Sequence, residues 1–302
     1  MDDGDRIWHS INIAEIEPMQ KALVRALGLV TERLRLENIN YWLDFGTLLG
    51  AIRHGGFIPW DDDIDITIME KDLDKVSEII NRCLSDYFDV LTENIHSPLS
   101  VPIKLSLKGT RIVSSWLYDN SIDTSKFWGL SIDIFSVRAV ENVHISSKKL
   151  ISRHYLSKIY RFAKLSHHLE ANLSKKRNLF LFNNLFRWKI LSFVPLRLLK
   201  LFMQSIEYVP SDEVDASKLF LAYSITSEPA AKKTFFEDIF PTKEVFFHDI
   251  KVSVPSNPQN ILMLHYGKNY LKLPSLELRL GHFRSLEVAE DSPFYDLFDV
   301  IN

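Results

Sequence analysis

The segment from Tyr41 to Met69 reads YWLDFGTLLGAIRHGGFIPWDDDIDITIM, and it places four aspartates within five positions. Carboxylates this close together repel one another, so each must be solvated, protonated or bound to a cation. The flanking residues are apolar, with Phe57-Ile58 before the cluster and isoleucines at alternate positions after it. The aspartates therefore belong at the edge of a core, where a divalent cation would best offset their charge.

The stretch DIDI at 63–66 alternates polar and apolar residues, which is typical of a half-buried strand. Asp63 and Asp65 then share one face, where two carboxylates can bind Mg²⁺ or Mn²⁺, which prefer oxygen ligands. Asp61 shares that face only if the strand begins early, and a proline two residues before it favours a turn. Asp62 is expected to point away. The alternative is a solvated acidic loop, but the alternation favours a metal site.

Hydrophobic periodicity predicts the surrounding elements. Helices are expected over 13–37, 47–53 and 71–87, and strands over 41–45, 88–92, 101–107, 111–116 and 128–135, with a hairpin formed by 245–247 and 250–254. The turn at Gly46-Thr47 opens the second helix, and backbone N–H groups at a helix N-terminus are suited to bind phosphate. Neither a Walker motif nor a G-x-G-x-x-G motif is present, so a P-loop and a Rossmann dinucleotide site are not indicated.

Gly46-Thr47 followed by the DIDI stretch is similar to the signature of the nucleotidyltransferase fold. The longer string GTLLGAIRHGGFIPWDDDIDI resembles the LicD family, which includes bacterial phosphocholine transferases and fukutin-related sugar-phosphate transferases. The resemblance implies an α+β fold, with a nucleotidyltransferase-like mixed sheet flanked by helices. The basic middle of the chain would be a helical insertion in that fold.

The resemblance also implies a site. Asp63 and Asp65 would hold the metal, with Asp61 nearby. Asp133, between two isoleucines in the stretch SIDIF, resembles the family's second acidic motif and would be the third ligand and general base. The alternative for Asp133 is an exposed residue on an edge strand. Arg53, which the family motif also carries, would bind a donor phosphate; the alternative is a salt bridge to the aspartates.

Two further residues are candidates for contact with donor phosphate. Lys104 interrupts an apolar strand and would reach the donor if that strand lies beside the aspartates; otherwise it faces solvent. His282 belongs to a C-terminal pattern that resembles LicD-like proteins, but a single histidine is more often a packing or capping residue. The family's usual turn in this region is replaced by Phe247-His248-Asp249.

Residues 148–204 contain thirteen Lys or Arg and one acidic residue, Glu170, interleaved with aromatic residues. This pattern predicts basic amphipathic helices, which suit an anionic membrane surface or an anionic glycolipid. Nucleic acid would match a similar charge pattern, but no nucleic-acid partner is expected. Helices that pack on the core and leave a solvated basic face are an equally weighted alternative.

These observations predict three parts. Residues 1–147 would form a nucleotidyltransferase-like catalytic core, 148–208 a basic amphipathic helical segment, and 209–302 a C-terminal part that completes the core and the donor pocket. The composition, 46% hydrophobic and 25% charged with a net charge of -3, is that of a globular protein with a full core. The one cysteine, Cys83, excludes a disulfide framework and a cysteine-based zinc site within the chain.

The N-terminal residues MDDGDRIWHS are acidic and contain no apolar run, so no signal peptide is expected. No stretch approaches the roughly 20 apolar residues that span a bilayer. We therefore expect a cytoplasmic protein, peripheral at the inner face of the membrane.

The functional hypothesis is a magnesium- or manganese-dependent phosphotransferase. By resemblance, it would move a phospho-alcohol, foremost phosphocholine from CDP-choline, to a sugar hydroxyl of a cell-surface glycan or glycolipid such as lipopolysaccharide, and would release CMP. Alternatives are a CDP-glycerol, CDP-ribitol or sugar-phosphate transferase, and a nucleotidyltransferase that releases pyrophosphate. An alternative of another class is a non-catalytic protein that binds glycans or membranes.

Overall fold

The computed structural model describes residues 6–12, 16–93, 101–114, 129–141, 147–170, 195–205, 219–224, 233–279, 281 and 283–298. The chain divides into two compact units. The first unit comprises Met1–Leu91, Ile103–Ile134 and Asp238–Asn302, and the second comprises Thr92–Pro102 and Phe135–Glu237. The three-part organisation with boundaries at 147 and 208 stays a prediction.

The helices, in chain order, are α1 (Ile16–Leu36), α2 (Phe45–His54), α3 (Leu73–Cys83), α4 (Ser147–Glu170), α5 (Leu196–Ser205), α6 (Phe236–Ile239) and α7 (Pro258–Tyr266). The strands are β1 (Trp8–Ile11), β2 (Tyr41–Leu43), β3 (Ile64–Met69), β4 (Phe88–Thr92), β5 (Ile103–Leu107), β6 (Thr110–Ser114), β7 (Ser131–Glu141), β8 (Leu219–Tyr223), β9 (Lys233–Phe235), β10 (Lys243–Phe247), β11 (Ile250–Val254) and β12 (Phe283–Ala289). The predicted α+β class is confirmed.

The main sheet of the first unit has the strand order β2-β3-β7-β5-β4. Strand β2 pairs antiparallel with β3, and Leu43 lies opposite Ile66. Strand β5 pairs antiparallel with β7, and Lys104 lies opposite Asp133. Because β3 and β7 are neighbours, the strand that follows the aspartate run lies beside the strand that carries Asp133.

Helix α1 is amphipathic, as its spacing predicts, and it packs on β11 and α3. Its buried residues recur at intervals of three and four and include Met19, Leu23, Leu27, Val30 and Leu34. The first residues of the predicted helix, 13–15, lie outside the described residues. The predicted hairpin is confirmed as β10 and β11, and a separate sheet has the order β1-β12-β6.

Some element boundaries differ from the predictions. The helix expected at 47 begins at Phe45, because Asp44 caps its N-terminus and accepts a hydrogen bond from the Phe45 N–H. The preceding strand ends at Leu43 for the same reason. The helix expected over 71–87 is a 3₁₀ turn at Glu70–Asp72 followed by α3, which ends at Cys83.

The second unit contains the rest of β7 with β8 and β9 and the helices α4 and α5, whose packing is centred on Tyr160, Ala163, Leu196 and Met203. Basic helices are thus confirmed at both ends of the predicted segment, and residues 171–194 lie outside the description. No helix among the described residues has the length and apolar content needed to cross a membrane.

Arg153 and Lys164, two basic residues of α4, are buried in the second unit rather than solvated. Lys164 donates a hydrogen bond to Glu93 at 2.7 Å, and Lys200 of α5 donates to the same carboxylate at 3.1 Å. Burial alone would raise the pKa of Glu93, but the two ammonium groups outweigh it and lower that pKa. Arg153 is also buried, and it donates to the carbonyl oxygen of Tyr223 at 2.6 Å.

The first prediction concerns Gly50 of α2, where an added Cβ would lie 2.4 Å from the Gly56 carbonyl oxygen. Gly50→Ala should therefore lower the free energy of unfolding by about 1–3 kcal/mol, measured by urea denaturation. Gly28→Ala in α1 is the matched control, because its Cβ would meet the Ile250 side chain at 3.8 Å. This substitution should raise stability by up to about 1 kcal/mol. Equal effects of the two substitutions would contradict the packing described here.

Candidate active site

The site is built at the junction of β2 and α2, where the chain turns at Asp44. The Asp44 side chain is buried and accepts hydrogen bonds from the Phe45 N–H at 2.9 Å and from the Thr67 hydroxyl at 2.8 Å. The Nε2 of His265, on α7, lies 2.9 Å from the same carboxylate. Asp44 therefore joins α2, β3 and α7 at one point. An aspartate just before a predicted helix could have indicated the cap, but nothing local in the sequence indicates His265.

Thr47 joins the first turn of α2 to β3. Its buried hydroxyl accepts the backbone N–H of Asp65 at 2.8 Å, and the backbone N–H of Asp44 donates to the carbonyl oxygen of Asp65 at 3.1 Å. This hydroxyl is used to position the strand that carries Asp65. The phosphate-binding role of the Gly46-Thr47 backbone stays a prediction.

Gly46 allows α2 to approach the aspartates closely. A Cβ at this position would lie 2.8 Å from the Oδ2 of Asp61, inside normal contact distance. Asp61 is buried, and its carbonyl oxygen accepts a hydrogen bond from the Gln20 amide at 2.9 Å. The structure thus brings Gly46 and Asp61, two of the predicted site residues, so close together that a side chain at position 46 has no room.

Asp61, Asp62 and Asp63 form a compact carboxylate cluster. One oxygen from each lies within 4.8 Å of the others; Asp61 and Asp62 are buried and Asp63 is partly buried. The expectation that Asp62 points away is wrong, because β3 begins only at Ile64 and strand alternation does not govern the residues before it. Asp62 also lies against Gly281, where a Cβ would be 2.9 Å from its Oδ2.

Asp65 lies in the same electrostatic field. Its pKa is raised well above the usual range by burial and then by the carboxylates of Asp63, Asp133, Asp61 and Asp44. The structure therefore brings Asp61, Asp63, Asp65 and Asp133 together, and their role as metal ligands stays a prediction. Several carboxylates gathered around one buried carboxyl are chemically suited to a hard divalent cation such as Mg²⁺ or Mn²⁺. The residues present fit the implied metal.

Lys104 forms an ion pair with Asp133 across β5 and β7. Its ammonium group also donates to the Ser131 hydroxyl at 3.0 Å. Lys104 thus lies beside the acidic cluster rather than facing solvent, and Asp133 lies inside the sheet rather than on an exposed edge. Contact of Lys104 with donor phosphate stays a prediction.

Arg53 does not form the alternative salt bridge to the aspartates among the described residues. Its Nη1 donates to the Tyr270 carbonyl oxygen at 3.2 Å, and its Nε donates to His54 at 2.9 Å. Burial lowers the pKa of Arg53, and the nearby Arg279 lowers it further, whereas Asp61 acts in the opposite direction. Two guanidinium groups therefore lie near the aspartate cluster, an arrangement that suits an anionic ligand.

Arg279 and Tyr266 are additional site residues. Both belong to the C-terminal pattern that resembles LicD-like proteins, but the pattern by itself does not place them at the site. The Arg279 guanidinium lies 5.0 Å from the ring centre of Trp60, and its Nε donates to the Pro274 carbonyl oxygen at 3.0 Å. The pKa of Tyr266 is raised by partial burial and by the charges of Asp65, Asp61, Asp44 and Asp63. The Tyr266 side chain therefore lies in the electrostatic field of these acids.

The turn at Phe247-His248-Asp249 supports the loop before the aspartates. The Nε2 of His248 accepts the backbone N–H of Phe57 at 3.0 Å, and the His248 N–H donates to the Gly55 carbonyl oxygen at 2.7 Å. Gly56 permits this contact, because a Cβ there would lie 2.5 Å from the histidine ring. His282 lies outside the described residues, and its role stays a prediction.

Comparison with known proteins finds a family match for part of the chain. Residues 38–164 match a family model described as LicD/FKTN/FKRP, nucleotidyltransferase domain. An uncharacterised protein of Rickettsia prowazekii is 53% identical over 49 residues, which are 16% of this chain and 18% of the relative. The human ribitol 5-phosphate transferase FKRP is 39% identical over 59 residues, 20% of this chain and 12% of the relative.

A further relative is the lipopolysaccharide cholinephosphotransferase LicD of Haemophilus influenzae. It is 75% identical over 28 residues, which are 9% of this chain and 11% of the relative. The chain thus spans less than a fifth of the length of each of these relatives.

The second prediction tests the charge balance of the metal-free site. Because the pKa of Asp65 is raised on folding, ionising Asp65 disfavours the folded state. The metal-free protein should therefore lose stability as the pH rises through the folded-state pKa of Asp65. Asp65→Asn should raise the thermal unfolding midpoint in EDTA at alkaline pH and should reduce this loss.

Asp44→Ala is the control for that measurement. It removes a buried acceptor of the Phe45 N–H and the Thr67 hydroxyl, and it should destabilise the protein by about 1–3 kcal/mol for each donor left without a partner. If Asp65→Asn destabilised the metal-free protein as much as Asp44→Ala does, the carboxylate repulsion inferred here would be wrong.

Proposed function

We propose that this chain, which carries a nucleotidyltransferase domain of the LicD/FKTN/FKRP family over residues 38–164, is a metal-dependent phosphotransferase. It would move an alcohol phosphate from a CDP-linked donor to a sugar hydroxyl of a glycan or glycolipid. The observation that carries the proposal is the convergence of Asp61, Asp63 and Asp65 with Asp133 from the neighbouring strand. A binding module has no need for so many mutually repelling carboxylates.

The names of two relatives support the class of reaction. One is a ribitol 5-phosphate transferase and the other a lipopolysaccharide cholinephosphotransferase, so both names describe transfer of an alcohol phosphate. We propose phosphocholine as the transferred group and CDP-choline as the donor. Ribitol phosphate, glycerol phosphate and sugar phosphates are the alternatives within the same class, because the same acidic and basic groups would meet the donor diphosphate.

The carboxylates of Asp63, Asp65, Asp61 and Asp133 would hold Mg²⁺ or Mn²⁺. Asp62, which completes the compact cluster, is a further candidate ligand. When bound, the ion would neutralise the donor diphosphate and stabilise the charge of the departing CMP.

The protein's own residues would bind the donor and move the proton. Arg53 would bind donor phosphate, with Arg279 nearby, and the Gly46-Thr47 backbone would orient it. The acceptor hydroxyl oxygen would attack the phosphorus distal to the nucleoside, the bond from that phosphorus to the CMP oxygen would break, and the hydroxyl proton would pass to Asp133. Lys104, through its ion pair, would hold the Asp133 carboxylate in place.

The proposed surroundings are the cytoplasm and the inner face of the membrane. The proposal of peripheral contact with an anionic membrane is supported by the basic composition of 148–204, in which Arg153 and Lys164 are buried and the exposed basic residues would make the contact. No nucleic-acid partner is proposed.

The third prediction is tested by product analysis. Protein incubated with a panel of CDP-, UDP- and GDP-linked donors should release CMP from one CDP-linked donor with Mg²⁺ or Mn²⁺ but not with EDTA, as measured by mass spectrometry. Asp63→Ala should lower this rate by at least about a hundredfold, because it removes a charge that holds the metal.

Other outcomes of that panel point to the alternatives. Pyrophosphate from a free nucleoside triphosphate would instead indicate a nucleotidyltransferase. Binding of glycan or lipid that Asp63→Ala leaves unchanged, with no metal-dependent turnover for any donor and acceptor pair, would indicate a non-catalytic protein.

The fourth prediction concerns Lys104. Lys104→Ala removes the partner of Asp133 and should lower turnover by about tenfold or more, because the general base loses its orientation. Lys108→Ala is the matched control, since Lys108 lies one residue beyond β5 and pairs with the exposed Asp89 at 3.6 Å. Its rate should match that of the unchanged protein. Equal rates for the two variants would remove Lys104 from the proposed mechanism.

A further inference from the structure

The segment that follows α7 carries four strongly exposed leucines. Leu271, Leu273, Leu276 and Leu278 have 58%, 52%, 76% and 72% of their surface exposed. The four leucines lie within eight consecutive positions of the chain, and we refer to their side chains as the leucine surface. Single exposed apolar residues are common on proteins, but several close together usually mark a surface that binds something.

The leucine surface is held on an ordered backbone. The N–H of Lys272 donates to the carbonyl oxygen of Asn269 at 2.8 Å. The N–H of Leu278 donates to the carbonyl oxygen of Ser275 at 3.0 Å. Arg53 and Arg279 also hold this segment, by donating to the carbonyl oxygens of Tyr270 and Pro274. The leucine side chains therefore extend from a hydrogen-bonded backbone toward solvent and are not packed in the core.

The same segment borders the candidate active site. Arg279 packs on Trp60, immediately before the aspartate run, and Tyr266, at the end of α7, lies in the field of Asp65 and Asp61. Whatever covers the leucine surface must leave these residues accessible to substrate. A second copy of the chain or a permanent protein partner bound here would cover the surface beside the site and restrict the access of substrate.

The charges of this segment favour a lipid surface. Lys268 and Lys272 are exposed next to the leucines, and Glu277 is the one acidic residue between 263 and 279. Leucines that enter the headgroup region, flanked by lysines that meet lipid phosphates, are typical of proteins that lie on anionic bilayers.

We propose that the leucine surface inserts into the headgroup region of an anionic lipid bilayer, and that Lys268 and Lys272 bind lipid phosphates there. This docking places the candidate active site at the membrane interface. An amphiphilic acceptor embedded in the same bilayer then presents its sugar hydroxyls directly to the site. The docking itself does not require transferase activity, whereas this consequence for the acceptor rests on the proposed function.

The fifth prediction is tested by sedimentation of the full chain with vesicles, without donor or acceptor. The protein should sediment with phosphatidylglycerol vesicles and much less with phosphatidylcholine vesicles. Leu276→Ser/Leu278→Ser should lower the partition coefficient by about tenfold or more, because two leucines no longer enter the apolar phase. Leu36→Ser is the matched control, since Leu36 is a leucine 64% exposed at the end of α1; its binding should be unchanged.

A second variant keeps the test independent of any change in folding. Lys268→Gln/Lys272→Gln should weaken binding and reduce its dependence on salt, while the unchanged protein should keep part of its binding in high salt through the leucines. Unfolding midpoints that match the unchanged protein would show that each variant is folded.

Several outcomes would overturn the proposal. One is absence of binding to phosphatidylglycerol vesicles, and another is full binding by Leu276→Ser/Leu278→Ser. Binding that is lost in Lys158→Gln/Arg197→Gln but kept in the leucine variant would assign the contact to the basic helices. A lipid-free dimer that the leucine variant abolishes would assign the leucine surface to a second copy. The sedimentation assay measures lipid binding and not turnover. Its result therefore tests the membrane proposal even if the proposed transferase function is wrong.

Discussion

Repulsion among carboxylates is the constraint on which the first unit depends. Asp61, Asp62 and Asp63 bring oxygen atoms within 4.8 Å of one another before β3 begins, and Asp65 and Asp133 add their charges from two neighbouring strands. Such a group is unfavourable unless a cation or a set of basic side chains offsets it. The ion pair of Lys104 with Asp133 and the nearby guanidinium groups of Arg53 and Arg279 are part of that compensation.

Hydrogen bonds from side chains and from the backbone hold the acidic residues against this repulsion. Asp44 joins α2, β3 and α7, and Thr47 receives the backbone N–H of Asp65. Gly46 and Gly281 leave room for the carboxylates of Asp61 and Asp62. A site of this kind is preorganised, because the unfavourable free energy of bringing the carboxylates together is offset during folding and not when a ligand binds.

Much of the fold could be predicted from local patterns. The three- and four-residue spacing of α1, the alternation at the start of β3 and the turn before β11 each specify their element without distant contacts. Boundaries were less accurate: α2 begins at Phe45 because the cap is made by a side-chain contact of Asp44. In the second unit the basic composition predicted a basic face that either meets an anionic surface or is solvated. Arg153 and Lys164 are instead buried, since Tyr223 and Glu93 supply acceptors far away in the chain.

The sequence by itself determined the α+β class and the run of closely spaced aspartates, because these signals lie in short local patterns. Only the tertiary structure decided how the carboxylates are grouped. It brought Asp62 into the cluster, paired Lys104 with Asp133, and set His265, Tyr266 and Arg279 around the same centre. The physical reason is that burial and charge act through space, so residues such as Asp44 and His265, which are separated by 221 positions, meet only after the chain has folded.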